Sequence, residues 1–367
     1  MDLMNLDTPA LLIDRIKMRT NLVEMAELCS NAGVKLRPHI KTHKIGEIAL
    51  AQNELSGNGI AVVKLSEAEV MSEIGISDIQ IANQIIGEIK LARLSRLART
   101  RLISVCVDSR EGIDQLDRYL DIGSKKLNLF IEIDTGMKRA GITDNTEVYQ
   151  LVREIKKSRK LSFHGLMSHS GNIYGAEGVD QVYRIAADEI RIITDMAKIL
   201  REQGITVKEI SVGSTPSALY LKRAEGITEF RPGNYVFYDN IQVSLGVTQA
   251  DRCALAVMAT VISRPQRNRI IIDAGSKSLG LDRGVHGSQL IRGHGLVREH
   301  PSAVIERLSE EHGIIRVHED NPLRIGDRIT IIPNHACSVT NLFDLAYIIE
   351  EDQVIDCWYI IARGKVT

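Results

Sequence analysis

The chain has 367 residues with 46 Lys+Arg against 47 Asp+Glu, a formal net charge of −1. That balance gives no electrostatic reason to expect nucleic acid or an anionic membrane as a partner. With 44% hydrophobic and 25% charged residues, it is a globular chain with a large core, not a disordered one. No run approaches the roughly 18 apolar residues of a membrane-spanning helix. The five scattered cysteines (Cys29, Cys106, Cys253, Cys337, Cys357) form no CxxC pair. They predict a reducing, cytoplasmic setting rather than a disulfide framework. The opening MDLMNLDTPALLIDRIK lacks the pattern of a secretory leader.

Up to about residue 240, short apolar runs alternate with longer amphipathic ones. Helix periodicity over 15–32, stopped by Gly33, leads to a first strand at 34–40. Further strands are predicted at 60–64, 79–82, 102–108, 127–134, 162–169, 207–213 and 229–237, with a long helix over 182–203 ended by Gly204. Their Val/Ile content without strict alternation suits strands covered on both faces. Eight such strands predict a parallel (β/α)8 TIM barrel. A doubly wound sheet is the alternative, but no GxGxxG follows the first strand. Beyond residue 245, strand-like runs at 254–263, 269–274, 313–317, 327–332, 345–350 and 354–362 are separated by turn signals with no long helix. The expected organisation is therefore a barrel over 8–243 and a mostly β domain over 244–367, with 1–7 packed on the latter.

A barrel carries its site at the C-terminal ends of its strands. The first strand ends in Arg37-Pro38-His39-Ile40-Lys41-Thr42-His43-Lys44. A lysine inside a barrel mouth is costly to bury unpaired, and desolvation would make it a Schiff-base nucleophile. The alternative is that Lys41, His43 and Lys44 form the solvated start of the next helix. The seventh strand runs into Gly213-Ser214-Thr215-Pro216-Ser217 and the eighth contains Arg231-Pro232-Gly233-Asn234. Small-residue turns after strands seven and eight form the usual phosphate site of barrels; the alternative is two ordinary turns. A phosphate cradle opposite a nucleophilic lysine suggests pyridoxal phosphate (PLP). The end of the fifth strand, DTGMKRAG, supplies a cation for the cofactor's phenolate, while His169 and Tyr174, in HGLMSHSGNIY, are candidates to contact the cofactor and its phosphate; the alternative is a structural role for each. In Pro333-Asn334-His335-Ala336-Cys337, residues i and i+2 on a strand would turn one imidazole and one thiolate toward a shared metal.

These segments, with TPALLID, VGSTPS and FRPGNYVFYD, resemble the alanine-racemase-fold (fold type III) PLP enzymes of the D-threonine aldolase and D-serine dehydratase family over nearly the whole chain. The resemblance implies that Lys41 binds PLP and that Arg139 lies near its phenolic oxygen. It implies phosphate contacts from Tyr174, Gly213, Ser214, Thr215, Gly233 and Asn234, with Tyr183 added. His335 and Cys337 would hold a divalent metal, Zn2+ or Mn2+. It further implies a homodimer acting on a small D-amino acid, with neither nucleic acid nor membrane as partner. In this group some aldolases carry aspartate at the position of Cys337 and dehydratases carry cysteine, and thiolate favours a softer ion such as zinc.

The implied reaction is lyase chemistry on β-hydroxy D-amino acids: retro-aldol cleavage of D-threonine-type substrates to glycine and an aldehyde, with His169 a candidate base. The alternatives are dehydration of D-serine to pyruvate and ammonia, with Lys41 as base, and 3-hydroxy-D-aspartate cleavage. A racemase would need a second acid/base such as Tyr347 or Tyr359. A bare PLP carrier would resemble the barrel alone.

Overall fold

The computed structural model describes residues 1–284 and 290–367. Strand β1 (Ala10–Asp14) leads directly into the helix Arg15–Asn31, whose first turn is capped by the Asp14 carboxylate accepting from the Lys17 N–H at 3.0 Å. That helix buries Met18, Leu22, Met25 and Cys29, and Gly33 reverses the chain at φ 67°. Eight strands follow: β2 (Lys35–Leu36), β3 (Ile60–Val62), β4 (Asp78–Ile81), β5 (Leu102–Val107), β6 (Leu127–Ile133), β7 (Leu161–Ser168), β8 (Glu209–Val212) and β9 (Glu229–Phe230). They make one parallel sheet in the order β2-β9-β8-β7-β6-β5-β4-β3. A parallel bridge between His39 and Ala61 joins its two ends, with the Ala61 N–H donating to the Pro38 carbonyl at 2.8 Å. The curled sheet closes there, as the barrel reading expects. Strands β2 and β9 are shorter than their apolar runs because Pro38 and Pro232 remove ladder donors.

The second sheet contains β10 (Leu255–Gln266), β11 (Arg269–Ile272), β12 (Leu296–Val297), β13 (Val304–Leu308), β14 (Gly313–Arg316), β15 (Arg328–Ile332), β16 (Leu345–Glu350) and β17 (Gln353–Tyr359). Its order is β11-β14-β13-β12-β15-β10-β1-β16-β17, and an additional β10–β11 pairing closes six of these strands into a ring. Strand β1 lies inside this sheet, antiparallel to β10 and parallel to β16. The sheet's share of the N-terminus therefore reaches Asp14, further than the 1–7 expected. Leu11, Leu12 and Ile13 are fully buried, which explains the unbroken apolar run.

One expectation fails here in a way that matters for the site. His335 and Cys337 do not share a strand. Strand β15 ends at Ile332, Pro333 blocks its extension, and the short helix Ala336–Thr340 begins with His335 as its N-cap residue. A helical turn, not strand alternation, brings the two side chains together.

Candidate active site

The strand ends open on a cavity of about 510 Å3 lined by Lys41, Arg139, His169, Tyr174, Gly213, Ser214, Gly233 and Asn234 from the barrel, and by His335 and Cys337 from beyond β15. Residues separated by up to 296 positions in the sequence thus face one space.

Lys41 sits on the single turn Ile40–Thr42, braced by the His39 N–H donating to Pro232 O and the Lys44 N–H donating to Ile40 O, both at 2.9 Å. Its ammonium has no hydrogen-bond or ion-pair partner among the described residues. Burial lowers its pKa, and Arg139 and Arg231 add to this, against the opposing pull of Cys337 and Glu67. The neighbours are not a solvated helix start. His43 is fully buried; its Nδ1 accepts from the Ile45 N–H at 3.1 Å, so Nε2 donates to Gln52 Oε1 at 3.0 Å. Burial lowers its pKa to about 4. Lys44 donates to Asn341 Oδ1 at 3.1 Å and pairs with Glu67 at 3.4 Å.

His169 donates from Nδ1 to the Gly213 carbonyl at 3.3 Å, which leaves the Nε2 lone pair unengaged. Burial holds this imidazole well below its usual pKa, reinforced by Lys41 and Arg139. Behind it lies Glu189, buried and in no close salt bridge among the described residues, with the Arg231 guanidinium as its electrostatic neighbour. Its carboxylate accepts from Ser168 Oγ at 2.8 Å, Ser170 N at 3.1 Å, Ser170 Oγ at 2.7 Å and Gly213 N at 3.5 Å. One side chain therefore fixes the residues on either side of His169 together with the turn that accepts its proton.

The two glycine turns fit the cradle expected of them. Gly213 has φ 116°, and a Cβ there would stand 2.3 Å from the Phe230 ring. A Cβ on Gly233 would stand 3.0 Å from the His39 carbonyl. A side chain is excluded at Gly213 and would crowd the backbone at Gly233, and both glycines line the cavity. Ser214 and Ser217 fold the first turn on itself, Ser217 Oγ accepting from Ser214 N at 2.9 Å and donating to Ser214 O at 2.8 Å. Asn234 donates to Asp239 Oδ2 at 2.6 Å while its own Oδ1 is buried without a partner among the described residues. Tyr174 is half-buried, and desolvation pushes its hydroxyl pKa up.

Two expected phosphate contacts are placed elsewhere. Thr215 does not line the cavity; its Oγ1 accepts from the Tyr235 N–H at 3.0 Å and joins the two turns from behind. Tyr183, on the helix Val179–Glu202, packs edge-on against Tyr220 at 6.2 Å under the Arg223 guanidinium at 5.5 Å, in a separate pocket.

At the far wall, Thr42 Oγ1 lies 3.2 Å from the Cys337 sulfur. Burial alone would raise the Cys337 thiol, but His335, Lys41 and Thr42 outweigh it and hold the pKa below its ordinary value. His335 shows the reverse: burial would lower it, but Cys337 and Asp282 take it well above. Among the described residues no set of three or more His, Cys, Asp or Glu side chains is arranged around a metal position. The pair would leave coordination positions open, as a catalytic ion requires.

Several residues at the site carry no sequence signal of their own. Arg231 is buried in the cavity wall, donating to Ser211 Oγ and to the Ser168 carbonyl. Glu132 faces Arg139 at 3.8 Å and accepts from Gln84 at 2.6 Å. Asp239 and Asp282 stand beside the His335–Cys337 pair. Arg231 belongs to a quoted motif, yet only its glycine and asparagine stand out by residue type.

Residues 13–240 match the family model for the alanine racemase N-terminal domain, more than half of the chain, and residues 254–349 match a putative serine dehydratase domain. The chain belongs to the alanine racemase N-terminal domain family. Within that family it is 32% identical to a D-threonine aldolase of Arthrobacter sp over 99% of this chain and 94% of that protein. It is 32% identical to a D-serine dehydratase of Dictyostelium discoideum over 96% of each. Among solved structures, a D-threo-3-hydroxyaspartate dehydratase bearing a cysteine-to-alanine mutation, in its metal-free form, superposes with a TM-score of 0.90 at 30% identity and 98% coverage of both chains.

Proposed function

We propose that the chain is a PLP- and divalent-metal-dependent lyase of β-hydroxy D-amino acids that cleaves D-threonine-type substrates to glycine and an aldehyde. The observation that carries this reading is a half-buried, desolvated amine and an imidazole Nε2, neither with a hydrogen-bond partner among the described residues, and a His–Cys pair around the same cavity. Lys41 would hold the cofactor, with Arg139 at its phenolic oxygen and Tyr174, Gly213, Ser214, Gly233 and Asn234 around its phosphate; His335 and Cys337 would hold zinc or manganese. When bound, PLP supplies an electron sink for a bond broken at the substrate Cα, and the metal a Lewis acid for the β-hydroxyl.

The chain's own residues then divide the proton traffic. His169 Nε2, neutral because its pKa is held down, takes the proton of the substrate's β-hydroxyl as the Cα–Cβ bond breaks and the aldehyde departs. Lys41 in its ammonium form, made the stronger acid by its depressed pKa, returns a proton to Cα so that glycine is released, and the proton held on His169 restores the balance. A second reading is favoured by Cys337, a soft ligand of the type the dehydratases use. There Lys41 removes the Cα proton, the β-hydroxyl leaves as water, and hydrolysis gives a 2-oxo acid and ammonia. Tyr347 and Tyr359, the acid/base groups a racemase would need, do not line this chain's cavity. As an assembly we propose a cytoplasmic homodimer, which fits five free cysteines and the absence, among the described residues, of a helix long and apolar enough to cross a membrane.

The test is D-threonine turnover with added PLP, before chelation, after it, and after zinc or manganese is returned. Loss and recovery of activity are expected, with no activity in Lys41→Ala. Unchanged turnover under chelator would contradict the metal, and a fully active Lys41→Ala the cofactor.

A further inference from the structure

His335 does not stand alone on its helical turn. Its Nδ1 lies 2.8 Å from Asp282 Oδ2 and 3.2 Å from Ser338 Oγ, and Ser338 Oγ itself donates to the same Asp282 oxygen at 2.7 Å. A carboxylate oxygen can only accept, so Nδ1 carries the hydrogen and the neutral ring's lone pair is on Nε2. The backbone of Asp282 is tied to the same segment. Asn334 Nδ2 donates to the Asp282 carbonyl at 2.8 Å and to the Gly293 carbonyl at 3.0 Å, while Asn334 Oδ1 accepts from Asn240 Nδ2 at 2.8 Å. Asp282 therefore meets the metal-pair segment at three points, from a loop more than fifty residues upstream, and Asn240 links that segment to the end of the barrel.

Such an arrangement differs from an incidental surface ion pair. The Asp282 side chain is 44% exposed, and the His335 side chain 26%, so burial does not demand the contact. Its geometric consequence is that the imidazole keeps one tautomer and one ring orientation, with Nε2 the nitrogen left for the cavity wall and the ring in hydrogen-bond contact with Cys337. Metal-ligating histidines are commonly held this way, and loss of the outer partner costs about 10- to 100-fold in metal affinity.

We propose that Asp282, assisted by Ser338, is a positioning residue that fixes His335 for metal binding through Nδ1. This inference rests on the metal reading above and goes one shell beyond it. Asp282 touches neither the ion nor the substrate. Its role is to set which nitrogen of His335 is available and where it points.

The experiment is competitive zinc titration against a chromogenic chelator on the PLP-loaded enzyme, for the native chain, Asp282→Asn, Ser338→Ala and His335→Ala. Cobalt-substituted spectra and thermal melting are recorded for each. The expected result is one tight zinc site in the native chain, lost in His335→Ala and about 10- to 100-fold weaker in Asp282→Asn, with a smaller loss in Ser338→Ala. The cobalt–thiolate band from Cys337 should persist in Asp282→Asn at saturating cobalt, while the ligand-field bands change. Native affinity in Asp282→Asn with only a lower melting temperature would make the contact a loop anchor and overturn the proposal. Equal zinc binding by the native chain and His335→Ala would overturn the metal reading itself, a result distinguishable from the first. If Asp282→Asn does not fold, Ser338→Ala decides, with unchanged affinity and spectrum counting against the proposal.

Discussion

On the barrel side of the cavity, Lys41, His39 and His169 are all driven toward their neutral forms, chiefly by burial and then by nearby cations: Arg139 and Arg231 for Lys41, and Lys41 itself for both histidines. Across the cavity, His335 and Cys337 are driven the opposite way. Each offsets the burial cost of the other's charge, so the imidazole is raised and the thiol lowered. Desolvation therefore leaves bases on one wall and an imidazolium–thiolate pair on the other, whose imidazolium must give up its Nε2 proton before it can ligate. What decides is the company each group keeps: like charges against like on the barrel turns, an acid against a base on the helical turn.

Replacing His169 by Gln should break the barrel side with the largest effect. The amide can keep a hydrogen bond to Gly213 but cannot take a proton, and kcat for D-threonine cleavage should fall at least about 100-fold. A variant within a few-fold of native would remove His169 from the proton path and leave it a packing residue. Glu189 tests how that wall is held. Glu189→Ala leaves the hydroxyls of Ser168 and Ser170 and two backbone N–H groups unsatisfied, and chemical unfolding should show a loss of about 2–4 kcal/mol. Glu189→Gln keeps most acceptor geometry and should lose about half as much.

Titration sharpens the comparison from the stability side. His43 is held to about 4 in the folded chain against roughly 6.5 unfolded. The unfolded chain therefore binds the extra proton across that window. The favourable contribution is complete above pH 6.5 and is lost as pH falls toward 4, roughly 3 kcal/mol in all. His39 and His169 act in the same direction. Melting temperature should decline between pH 6.5 and 4.5, and a flat profile there would argue that these imidazoles are not held neutral. The smallest effect is expected at Tyr183. Placed outside the cavity, Tyr183→Phe should leave kcat and KM within about a factor of two; a marked rise in the PLP requirement would return it to the phosphate site.

The barrel was legible in the sequence because its parallel strands lie in short, largely apolar runs, and each of the eight predicted runs overlaps a strand. Motif residues at the strand ends were legible for a related reason: a lysine, two glycine turns and a histidine are conspicuous against the apolar background. Strand β1 was harder to place, since TPALLID pairs with partners more than 240 residues away. Asp282, Glu189 and Asp239 left no trace, because each acts on a group brought near only by the fold. Tyr183 shows the converse. Its residue type suits a phosphate contact, but helix phase turns it to another face. The His–Cys spacing was legible while its geometry was not, because Pro333 ends the strand that the alternation argument assumed.

The central claim is bond cleavage at a β-hydroxy D-amino acid under joint PLP and metal control, and product analysis on D-threonine tests it most directly. With PLP and zinc or manganese, equimolar glycine and acetaldehyde are expected, abolished by chelator and by His335→Ala. Ammonia and 2-oxobutyrate in their place would transfer the claim to dehydration. Metal-independent conversion of the D- to the L-amino acid, with neither pair of products, would contradict it.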